Sequence, residues 1–181
     1  MFYKFIVFIF LLLISLNSYA RKWYTEHIDN VFCISFPTKP IHLPTDSLGV
    51  VQYICQQSGC LFSLSVKNGI IDDYYGYLLA TERVRESWAH SILESIADSK
   101  INQPFHYLIS KKANRLGYND FGLDIEYATK EPSMPESNKR FSKLLLLGNS
   151  LYVLEVWYID NEIHDLEKDE FFKSVSLKKK Q

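Results

Sequence analysis

Residues Phe141-Ser142-Lys143-Leu144-Leu145-Leu146-Leu147-Gly148-Asn149-Ser150-Leu151-Tyr152-Val153-Leu154-Glu155-Val156-Trp157-Tyr158-Ile159 decide the reading of the fold. Two apolar runs meet across Gly148-Asn149, a pair of turn formers that closes a two-residue hairpin. In that register Leu144 faces Val153 and Leu146 faces Leu151 on one side. On the other side Leu145 faces Tyr152 and Phe141 faces Val156. Apolar pairs on both faces require cover on both, so the sheet that holds this hairpin lies between two layers.

Outward from the hairpin, Phe105–Ser110 and Tyr118–Ala128 read as two more strands, the latter with Gly122 as a candidate bulge. Glu131–Asn138, with Pro132 and Pro135, reads as a surface loop. Glu167–Ser174, with Phe171 and Phe172, predicts a short helix that can supply one cover. The other is a long helix, capped by Asp72 or Asp73 and running to about Asp98. Its apolar stripe is Val84, Trp88, Ile92 and Ile96, widened by Ala80 and Leu93, with Arg83, Arg85, Glu86 and Glu94 on the rest of the circumference. Trp88 on such a stripe reads as packing.

Before that helix, Val31–Phe36 alternates, with Phe32, Ile34 and Phe36 on one face and Val31, Cys33 and Ser35 on the other. Leu48–Gln56 and Cys60–Lys67 form the next two strands. A four-residue loop, Gln56-Gln57-Ser58-Gly59, would set Cys55 opposite Cys60, Tyr53 opposite Phe62 and Val51 opposite Leu64, and a cross-strand disulfide between Cys55 and Cys60 is expected. The resulting fold class is α+β, an antiparallel sheet sandwiched between helices.

At the amino terminus Lys4 precedes an apolar run from Phe5 to Ile14, and Ser18 and Ala20 fit the small-x-small site of a signal peptidase. The run is shorter than the ~20 residues of a membrane-spanning helix. The expectation is a signal peptide over 1–20, a single domain over 21–181, and a periplasmic or secreted product with no stable membrane anchor. Without Lys4 the chain holds 19 Lys and Arg against 21 Asp and Glu, too near neutrality for nucleic-acid binding. The Lys178–Lys180 run reads as a solvated tail. Twelve Tyr and twelve Phe suit a packed, strand-rich domain.

The strand Val31-Phe32-Cys33-Ile34-Ser35-Phe36-Pro37 with Lys39-Pro40, the run Leu147-Gly148-Asn149-Ser150-Leu151-Tyr152-Val153-Leu154, and Phe171-Phe172-Lys173-Ser174-Val175 together resemble the PsbP-like, or Mog-type, α/β/α sandwich over residues 31–177. That resemblance implies an exported accessory or partner-binding protein such as an assembly factor, chaperone or inhibitor. It carries over no metal-binding or partner-binding residue.

No catalytic motif is present: G-x-S-x-G, H-E-x-x-H, Walker-type and G-x-G-x-x-G patterns are all missing from the sequence. No catalytic residue, metal ligand set or cofactor site is therefore expected. His27-Ile28-Asp29 and His164-Asp165 each place an imidazole near a carboxylate, and solvated loop residues explain both. Three cysteines without a second Cys pair or a nearby His pair do not make a zinc site. Cys33 reads as structural, since a nucleophilic thiol needs a base beside it. Tyr74, Tyr75, Tyr118 and Asp120 form acidic-aromatic patches suited to a protein interface. Two readings remain beside protein binding: a secreted hydrolase whose scattered histidines converge, and a small-ligand carrier with a pocket lined by Trp88, Tyr152 and Trp157.

Overall fold

The central hairpin forms in the register its apolar pattern dictates. In the computed structural model, which describes residues 23–117, 120–130, 138–160 and 162–178, β8 (Asn138–Leu147) pairs with β9 (Ser150–Tyr158). Leu144 sits opposite Val153, Leu145 opposite Tyr152 and Phe141 opposite Val156. Gly148 takes a positive φ of 60°, as the first turn position of a type II′ hairpin requires. The signal-peptide segment, most of the 131–138 loop and Tyr118 lie outside the described residues.

Around the hairpin a seven-stranded antiparallel sheet runs in the order β3 (Ile41–Leu43), β4 (Val50–Gln57), β5 (Cys60–Asn68), β9, β8, β7 (Asp120–Thr129) and β6 (His106–Arg115). Gly122 is in regular register with Asn114 and Leu145; the irregularity falls instead in β6, between Leu108 and Ser110. Gly122 is a tight approach, since a Cβ there would meet Leu145 Cδ2 at 3.3 Å.

The β4–β5 hairpin differs from the expected register by two residues. The turn is Ser58-Gly59, both at positive φ (50° and 72°), which is a two-residue type I′ connection and not a four-residue loop. Gln57 therefore faces Cys60, and Cys55 faces Phe62. A slip of two leaves every side chain on its expected face, which is why the apolar pattern could not detect it. It removes the direct Cys55–Cys60 opposition, and Cys33, Cys55 and Cys60 are all free thiols here.

One face of the sheet is covered by helices, the other by a mixed layer. The opening strand, β2 (Phe32–Phe36), leaves the main sheet and forms a second sheet with β1 (Tyr24–His27) and β10 (Ser176–Leu177), in the order β1-β2-β10. Phe32, Ile34 and Phe36 are fully buried against Phe62, Leu64, Tyr152, Leu154 and Val156. Phe171, from α3 (Asp165–Lys173), completes this layer beside Phe36 and Phe62, with ring centroids 5.4 and 5.3 Å away. The α+β class and the antiparallel sheet stand, but the helical cover expected on both faces is purely helical on one only.

On that helical face the single long helix is two. Asp73 caps α1 (Tyr74–Leu79), its Oδ1 accepting from the Gly76 amide at 2.9 Å. Ala80 and Thr81 are extended, and α2 (Glu82–Ile101) begins after them. Arg85 clamps the joint: its Nη1 donates to the carbonyls of Leu78 (3.2 Å) and Ala80 (2.6 Å). The residue expected on the polar circumference is thus 5% exposed. The buried row of α2 is Arg85, Ala89, Leu93 and Ala97, one residue on from the expected row. Two alanines let the helix approach Phe121, Leu123 and Ile125 of β7 closely, where a row holding Trp88 would stand it off. At the far end of α2, buried Glu155 accepts hydrogen bonds from Lys100 Nζ (2.7 Å), Ser142 Oγ (2.9 Å) and Tyr127 OH (3.4 Å). Burial, seconded by the Glu155 charge, pushes the Tyr127 phenol up to about 12.

Candidate protein-binding surface

The one-residue rotation of α2 has a consequence at the surface. Val84 and Trp88, expected inside, are 39% and 43% exposed, while Ile92 is half-buried. Alongside them α1 presents Leu78, Tyr75 and Leu79, the last two 74% and 71% exposed. Neighbouring elements thus show a run of large apolar side chains to solvent, a feature that marks interaction surfaces.

The patch is built on an aromatic stack. Tyr74 lies on Tyr77 with ring centroids 5.9 Å apart and 18° between planes, and Tyr77 lies on Trp88 at 6.0 Å and 23°. Tyr77 is fully buried and holds the stack to the sheet. Burial raises its phenol pKa; Arg85 opposes the rise, and Tyr74 and Asp120 add to it. Between α2 and the chain entering α1 lies a groove of about 310 Å³, lined by Ile70, Ile71, Asp72, Asp73, Trp88, Ser91 and Ile92. Asn149 of the central turn fixes that entry, its Oδ1 accepting from the Ile71 amide at 2.7 Å. The groove is apolar along its wall and acidic at its rim, and Asp72 and Asp73 are exposed.

Of the interface residues named from sequence, Tyr74 joins the stack, Tyr75 stands out from it, and Asp120 lies close enough to act on Tyr77. Leu78, Leu79, Val84 and Trp88 were missed as surface residues. The signal was the small-residue row Ala89 and Ala97, masked because Arg85 begins it.

The other candidates disperse. Tyr152 and Trp157 differ by an odd number of positions on β9, so they lie on opposite faces of the sheet and cannot line one pocket with Trp88. The five histidines engage different partners: His27 meets Cys33, His42 stacks on Tyr53, His90 faces Glu86, His106 meets the Lys100 carbonyl, and His164 meets Asp160. No contact joins two of them among the described residues. Asp160, Glu162 and His164 could offer ligand atoms within 4.8 Å of one another. Asp160 Oδ1 is engaged by His164 Nε2 at 2.7 Å, a contact that holds the Asp160 carboxyl below its usual range and anchors the loop before α3. Cys55 Sγ lies 3.0 Å from Thr38 Oγ1. Burial, then the charges of Glu167 and Asp160, pushes the Cys60 thiol up to about 12.

No protein-family model matches the chain, and no curated protein matches its sequence. Among solved structures it is similar to cyanobacterial PsbP (CyanoP) from Synechocystis sp. PCC 6803, at 12% identity over 87% of this chain and 94% of that one, with a TM-score of 0.54. It also aligns with PA94 of Pseudomonas aeruginosa, a protein of unknown function, at 7% identity over 81% of this chain and 90% of that one, with a TM-score of 0.45. The first likeness is one of fold: the chain has a PsbP-like architecture.

Proposed function

We propose that this PsbP-like chain is an exported, non-enzymatic accessory protein that holds another protein against the α1/α2 surface. The observation that carries the reading is the exposed apolar pair Val84 and Trp88 beside Tyr75, Leu78 and Leu79, next to an α2 row, Arg85, Ala89, Leu93 and Ala97, that is already packed on the sheet. The apolar leader of residues 5–14 supports the export. The partner supplies a large apolar side chain to the groove and a cation to Asp72 and Asp73, since aromatic-lined pockets of this kind act as binding hot spots.

The test is capture of the partner from the exporting cell's envelope or medium with purified wild-type protein and with a Tyr75→Ser, Leu79→Ser double variant. Wild type retains a partner that the variant loses, with thermal stability little changed because the two side chains are 74% and 71% exposed. Equal retention by both proteins, or no retained partner under gentle conditions, refutes the reading. Amino-terminal sequencing of the mature protein checks the export step: a chain still beginning at Met1 overturns it.

A further inference from the structure

We propose that Cys33, with His27 as its base, is a thiol–disulfide exchange site that takes low-molecular-weight disulfides. The β1–β2 register places His27 directly opposite Cys33, and His27 Nδ1 lies 3.0 Å from Cys33 Sγ. On the other side β10 sets Ser176 opposite the same cysteine. A polar row, His27–Cys33–Ser176, therefore crosses the small sheet. Because Phe32 and Ile34 enter the core, strand alternation puts Cys33 on the face turned away from it.

The nucleophile in such exchange is the thiolate, and an imidazole within hydrogen-bond reach both removes the thiol proton and stabilises the anion. In the tautomer protonated at Nε2, Nδ1 of His27 accepts the S–H proton. The sulfur then attacks one sulfur of R–S–S–R; the S–S bond breaks, Cys33–S–S–R forms, and R–S⁻ leaves with the proton returned by the imidazolium. The incoming disulfide is the oxidant and is consumed. Neither other thiol has this setting: Cys55 faces the Thr38 hydroxyl, which is no base, and Cys60 is fully buried with its thiol pushed up to about 12. Size selects the substrate. Cys33 is only 6% exposed, so a disulfide has to reach it past the solvent-exposed His27, an approach that favours a small one.

Native protein, fully reduced, is mixed with 5,5′-dithiobis(2-nitrobenzoate), and thiol release is followed by stopped flow. One thiol per chain reacts in a fast phase that Cys33→Ser abolishes and that Cys55→Ser and Cys60→Ser leave in place. His27→Gln, checked for folding by near-UV circular dichroism, slows that phase by about tenfold or more, since it removes the base and keeps the cysteine. Glutathione disulfide gives a single adduct on the peptide bearing Cys33. A fast phase that survives Cys33→Ser, a rate unchanged in folded His27→Gln, or no reaction before unfolding each overturns the assignment.

Discussion

Replacing Gly59 by alanine tests the turn that sets the β4–β5 register, and Gly49→Ala supplies its control. Both glycines sit at positive φ, 72° and 77°, so an alanine at either takes on the left-handed strain of about 1–2 kcal/mol. Their surroundings differ. A Cβ at Gly49 meets nothing within 4 Å. A Cβ at Gly59 lies 1.7 Å from Asp160 Oδ2 and 2.6 Å from His164 Nε2. Asp160 is exposed and can swing away, but the His164 ring is buried against Tyr158, their centroids 5.4 Å apart, and has little room to yield. That crowding adds the ~1–3 kcal/mol of an overpacked site. Gly59→Ala should therefore cost about 2–5 kcal/mol against about 1–2 for Gly49→Ala. With a urea m-value near 2 kcal/mol per molar, the two midpoints separate by roughly 0.5–1.5 M. Equal midpoints in equilibrium urea unfolding would refute the two-residue turn and the packing of the Asp160–His164 loop upon it.

Three further outcomes follow from the packing and charge. Leu93→Ala should cost about 2–5 kcal/mol, whereas Val84→Ala on the neighbouring row should cost under about 1; thermal or urea unfolding showing the reverse would restore the α2 stripe expected from sequence. Lys100→Met removes the cation from a largely buried pair, and the loss should approach the ~3–5 kcal/mol of a broken buried ion pair, toward its lower end because Ser142 and Tyr127 still serve Glu155. Adding Glu155→Gln to Lys100→Met should recover part of that loss. Lys168 first and Tyr158 second hold the Asp165 carboxyl below its ordinary 3.8. A depressed folded pKa means a contribution present above 3.8 and lost as pH falls through the folded value, so Asp165→Asn should flatten the acid limb of a stability–pH profile. The effect is small because Asp165 is 60% exposed, and an unchanged acid limb counts against it.

Local rules made the central hairpin, the α3 segment, the Asp73 cap and the antiparallel class legible in the sequence. Gly148 can adopt the φ the turn demands, and the apolar residues of β8 and β9 pair in one register on both faces. Tyr74 is half-buried and Tyr75 exposed beside the Asp73 cap, in keeping with the half-wet setting that tyrosine beside aspartate suits. Three decisions belonged to the tertiary structure. A two-residue slip in β4–β5 preserves every face, so the apolar pattern leaves it open; the turn that parts Cys55 from Cys60 is the one on which Ile159, Asp160 and His164 close over Gly59. A rotation of one residue on α2 exchanges two apolar rows, and the choice fell to the row whose alanines fit the sheet, leaving Trp88 at the surface. The departure of β2 into a second sheet is completed by its pairing with β10 from the far end of the chain, while the β1–β2 hairpin that brings His27 onto Cys33 is local. Patterns of period two and 3.6 specify which side of an element is apolar; what that side meets depends on contacts between distant residues, which no local window contains.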